Sequence, residues 1–174
     1  MVKLSKNVNN KKQVKTKQRV TDHGEVFTSE REVNAMLDLV KQETERIDSR
    51  FLEPACGTGN FLAEILQRKL EVVSQRYSKN QIDYERYSFL AVSSLYGIDI
   101  LEDNIEYCRT RLFNIFNDHY RYLFKGKNKT EFLETIKFVL FRNIVLGDAL
   151  TIKTVGFGIA TEASVFAEYD LSFC

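Results

Sequence analysis

The chain of 174 residues has a net charge of +1 and is 44% apolar, with 13 Phe and 8 Tyr, enough to build one domain around a real core. No apolar run approaches the roughly 20 residues needed to span a bilayer, and the polar N-terminus lacks the apolar stretch of a secretory signal. Cys56, Cys108 and Cys174 form no CxxC pair, which argues against a disulfide framework or a thiolate metal site and points to a reducing cytoplasm.

Charge is unevenly spread. Of 25 Lys and Arg, seven lie within residues 1–19, which hold no acid, so 18 face all 24 acids in the remainder. This arm lacks apolar periodicity and reads as flexible. It suits either phosphate contact on DNA or plain solubility. Residues 20–174 then form the folded unit.

In chain order, "GEVFTSEREVNAML" predicts a loop entering a helix. Ser29 and Glu32 form a capping box, and Val33, Met36, Leu37 and Val40 repeat at helical spacing. A short strand follows over 50–53, then the glycine loop. A helix starts near Asn60, with Phe61, Leu62, Ile65 and Leu66 on one face. "DYERYSFLAVSS" predicts another helix and "SLYGIDI" a buried strand. A long helix begins at Glu102, with Ile105, Cys108, Leu112, Ile115 and Phe116 on one side. Its Glu102 and Asp103 suit the positive helix start. "EFLETIKFVLF" gives a further helix, "NIVLGD" a third strand, and the segment from Thr161 onward a possible fourth. Helices alternating with short apolar strands indicate an α/β fold with a mostly parallel sheet. Glu53, Asp99 and Asp148 each close a strand, at the edge where such sheets bind ligands.

The loop "EPACGTGNF" fits no phosphate-binding pattern well. It lacks the GK[ST] of a P-loop, and Leu62 stands where a dinucleotide fingerprint has its third glycine. A nucleoside joined to an amino acid, S-adenosylmethionine, needs no lysine beside its loop. Glycines let backbone approach such a ligand. Glu53 is placed to meet its ammonium group, Asp99 both ribose hydroxyls, and Asp148 the adenine amino group.

These segments resemble the front half of the N6-adenine DNA methyltransferases of restriction–modification systems, including type I modification subunits. "GEVFTSEREVNAML" is similar to the segment before that family's first strand, "LEPACGTGNFL" to its cofactor loop, and "YGIDI" and "LGDAL" to its second and third strand ends. The resemblance spans about residues 18–150 and implies a Rossmann-like S-adenosylmethionine-dependent methyltransferase fold, incomplete here. It implies that Phe27 and Thr28 line the methionine end and that Ala55, Cys56, Gly57, Thr58 and Gly59 wrap the ligand. Asp99 and Ile100 would hold ribose and adenine, and Asp148 with Ala149 the adenine edge. The alternative for Phe27 and Ile100 is ordinary core packing, and Cys56 reads as a small packed thiol. Ser29 departs from the family's proline but can cap the helix instead.

Family chemistry also needs an [NDS]PP[YF] motif, which polarises the adenine amino group and stacks on the flipped base. The chain has one proline, Pro54, so no catalytic residue is expected in it. A fragment, a truncated gene product and one half of a split enzyme all fit. In the last case a second chain would supply the catalytic and target-recognition parts and the contacts to DNA. Two other readings are a non-enzymatic cofactor-binding subunit and a methyltransferase acting on a small molecule or protein. The latter calls for a substrate cap, with residues 73–93 as the candidate.

Overall fold

The computed structural model describes residues 16–23, 26, 28–127, 129–151, 153–156 and 159–161. In chain order these form α1 (Lys17–His23), α2 (Glu30–Asp38), α3 (Lys41–Thr44), β1 (Phe51–Glu53), α4 (Asn60–Tyr77), α5 (Gln81–Ser93) and β2 (Leu95–Asp99). They continue with α6 (Glu102–Leu123), α7 (Thr130–Asn143), β3 (Ile144–Asp148), β4 (Lys153–Gly156) and β5 (Ile159–Thr161). The fold is α/β, as expected. β1, β2 and β3 run parallel in that order, and β4 and β5 extend the sheet antiparallel beyond β3. The β4–β5 hairpin was not expected from sequence. A fourth strand anticipated after Thr161 lies outside the described residues.

Each parallel crossover contains two helices, where a single helix suffices to carry the chain back along the sheet. α4 packs on β1 and β2, and α6 on β2 and β3. α5 and α7 touch each other as well as their partners α4 and α6, so the four helices close around one core. On α4 the buried stripe is Leu62, Ile65, Leu66, Lys69, Leu70 and Val73, spaced as one helical face requires. Gly97 in β2 allows this close approach, since a Cβ there would lie 2.9 Å from Leu62 Cδ1. The far ends of the helices are joined by aromatic rings. Tyr84, Phe116, Tyr120, Phe124 and Phe132 stack or meet edge to face, an arrangement that adds to their buried area.

Three expectations change. The stripe read on α2 holds only for Val33 and Leu37; Met36 and Val40 are about half exposed. The helix ends at Asp38, so Val40 has left its periodicity before reaching the core. On α6, Ile115 is only partly buried beside the buried Ile105, Cys108, Leu112 and Phe116. The arm boundary at residue 19 falls inside α1, where Arg19 grips both carboxylate oxygens of Asp103 at 2.9 and 3.1 Å. The capping box stands as read: Glu32 N–H donates to Ser29 Oγ at 3.3 Å, and Ser29 N–H donates to Glu32 at 3.0 Å. Ser29→Ala is expected to cost about 1 kcal/mol in urea unfolding. Wild-type stability in that variant would show that the cap contributes nothing.

Candidate functional site

β1 turns abruptly after Glu53. Gly57 and Gly59 both adopt positive φ, 51° and 78°, which side-chain-bearing residues rarely do. Cys56 N–H donates to Ile98 O of β2 at 2.8 Å, and Gly59 N–H donates to Cys56 O at 2.8 Å. The loop is therefore stitched to the neighbouring strand before α4 begins.

Asp99 holds the other side of that turn. One carboxylate oxygen accepts from Gly57 N–H at 2.8 Å. The other accepts from Leu101 N–H at 2.9 Å and Asn104 Nδ2 at 3.3 Å. A carboxylate has about four acceptor positions, so three protein donors leave room for one more. Asp99 thus braces the loop and keeps capacity for one further donor, where the sequence reading had it accept two ligand hydroxyls.

The remaining acids are arranged in steps. Glu53 pairs in register with Gly97, and Asp99 with Leu146. Each strand end therefore reaches two residues beyond the previous one, roughly 7 Å along the strand. Burial pushes the half-buried Glu53 carboxyl above its ordinary value, while the Ala55 N–H opposes it. Asp148 accepts from Leu150 N–H at 2.9 Å within its own turn and makes no hydrogen bond to the glycine loop among the described residues. Ile100 is half exposed beyond Asp99, so its side chain is an accessible apolar surface and not core. Ala149 is partly exposed beside Asp148.

Thr28 is drawn to the loop by residues that sequence reasoning missed. Asn60 Nδ2 donates to Thr28 O at 2.9 Å. Arg111 Nη1, from α6, donates to Asn60 Oδ1 at 2.6 Å and to Thr58 O at 3.3 Å. Thr28 at the entry to α2, the loop and α6 are thereby fixed together. Nothing local in sequence links Arg111 to a loop more than fifty residues earlier. Phe27 lies outside the described residues.

Cys56 is buried. The Cys108 thiol hydrogen-bonded to it, reinforced by burial, holds the Cys56 thiol well above its ordinary value. It stays protonated, so it packs and does not attack. Residues 73–93 do not cap the strand ends. Val73, Tyr84, Ser88, Ala91 and Val92 are buried, and Gln81 bonds Tyr120 Oη and Lys127 O at the far end of α6. That removes the candidate cap for a small substrate.

No protein-family model, no curated protein and no solved structure matches the chain. Among the described residues no helix is long and apolar enough to cross a membrane.

Proposed function

We propose that this chain is the S-adenosylmethionine-binding portion of an adenine-specific DNA methyltransferase with a Rossmann-like fold. The carrying observation is the loop after β1, with two glycines at positive φ and its Gly57 N–H held by the acid that ends β2. That geometry presents backbone, not a cation, to a ligand lying across the strand ends. Glu53 stands below it for the amino-acid moiety, Asp99 beside it for a ribose hydroxyl, and Ile100 offers apolar surface to a base. Asp148 and Ala149 close the third strand for the adenine edge.

DNA as the methyl acceptor is supported by charge. Arg19 anchors α1 to Asp103 at the start of α6, the end of the sheet where the loop lies. The sequence before Arg19 is rich in lysine, a composition suited to phosphate. The adenine-activating motif would come from another chain or segment.

The test is calorimetric titration of the chain with S-adenosylmethionine, alongside Asp99→Ala. Wild type is expected to bind one equivalent. The variant should bind about ten- to hundredfold more weakly, since losing a hydrogen bond to a charged group costs roughly 1.5–3 kcal/mol. Thermal unfolding without ligand separates a loosened loop from a lost ligand contact. Absence of wild-type binding, or equal affinity in the variant, would refute the site. Adenine methylation by this chain alone would refute the division of labour.

A further inference from the structure

The opposite end of the sheet holds a cavity of about 340 Å³, within the roughly 300–1,000 Å³ of small-molecule sites. It opens where the strands begin: Arg50 precedes β1, Tyr96 lies in β2, and Arg142 sits in the last turn of α7 before β3. Phe89 of α5 and Phe138 of α7 form its apolar walls and remain 37% and 64% exposed.

Its polar lining is mostly spoken for. Asp48 is held by Arg46 at 3.0 and 3.3 Å. Asn143 donates to Ser93 O at 3.0 Å, and Ser94 Oγ donates to Ala91 O while accepting from the buried Lys69 at 2.5 Å. The exceptions are Arg50 and Arg142, which make no hydrogen bond or ion pair with any described residue. Two guanidinium groups without a partner among the described residues, with the Lys69 ammonium behind the wall, outnumber the one carboxylate in the lining, Asp48. Exposed aromatic faces beside them suit a flat apolar body.

We infer that this cavity is a second binding site, for a small anion carrying an aromatic ring. Planar guanidinium forks bind carboxylate or phosphate oxygens in pairs, while Phe89, Tyr96 and Phe138 flank the ring. The ligand would touch the starts of the same strands whose ends form the glycine-loop site. The two sites share no side chain.

The test uses the full chain and the fluorescent probe anilinonaphthalene sulfonate, itself a flat aromatic anion. Saturable one-to-one enhancement is expected in wild type and in Asp99→Ala. The Arg50→Gln/Arg142→Gln pair should weaken it at least about tenfold, as loss of charge-assisted bonds does. Phe138→Ser should weaken it by a smaller factor. All three side chains contribute little to the core, so unchanged thermal midpoints are expected. Displacement by adenosine monophosphate marks the ligand as a nucleotide, and displacement by naphthoate alone marks it as an aromatic carboxylate. Displacement by neither overturns the proposal, as does unchanged probe affinity in the double arginine variant.

Discussion

Gly59→Ala is expected to lower stability by about 3 kcal/mol, from two separable causes. The first is backbone: φ is +78°, and the left-handed region costs an L-residue roughly 1–2 kcal/mol. The second is overlap, because a Cβ at Gly59 would lie 2.5 Å from Cys108 Sγ. Overpacking of this kind costs typically about 1–3 kcal/mol. Urea unfolding of wild type, Gly59→Ala, Cys108→Ala and the double variant separates them. With the sulfur gone the next atom, Cys108 Cβ, lies at 3.5 Å, an ordinary contact. The double variant should therefore recover the overlap and retain the backbone cost, a coupling of about 1–2 kcal/mol between touching residues. Strict additivity would mean that the two residues do not meet. Because Gly59 starts α4, the same substitution should also weaken S-adenosylmethionine binding, with recovery in the double variant if the loop regains its path.

That pair illustrates what sequence could and could not disclose. The turn itself was legible, since two glycines one residue apart between an apolar strand and an amphipathic helix leave few conformations. The sulfur against Gly59 was not, because Cys108 reaches it through packing of α6 on α4. Ser29 and Glu32 were readable for the reason the glycines were: a cap is made by residues three apart. Arg111, Asn60 and Thr28 were not, being joined from three elements. The three acids were found because each closes an apolar run. Their stepped heights depend on strand register, which alternation within one strand does not encode.

Lys69 was the one readable signal left unread. It stands at the apolar position of α4 between Leu66 and Val73, where a solvated cation has no place. Fully buried, its ammonium donates to Ile47 O at 3.2 Å, to Ser49 O, and to Ser94 Oγ at 2.5 Å. It therefore ties the segment before β1 to the residue before β2, beside the cavity.

The pH dependence of stability should expose this lysine. Burial lowers its pKa from 10.5 to about 8, with Asp48 and Glu43 opposing. Below about pH 8 both folded and unfolded chains hold the proton, and the cost of burying charge is constant. Between about pH 8 and 10.5 the unfolded chain still holds a proton that the folded chain has released. The folded state therefore gains on the unfolded as pH rises. At about 1.4 kcal/mol per unit, that interval adds about 3 kcal/mol. The variant to compare is Lys69→Met, which keeps the stem and removes the amine. It should be less stable at every pH, because it leaves the Ile47 and Ser49 carbonyls without this donor. Its deficit should widen by about 3 kcal/mol from pH 8 to 10.5 as wild type sheds the proton. Subtracting the two unfolding curves cancels the tyrosines that titrate in the same range. A deficit that stays flat would mean that three acceptors outweigh burial and keep the ammonium charged. In that case the cavity beside Ser94 would keep its full positive charge at high pH, and anion binding there would not fall as Lys69 is titrated.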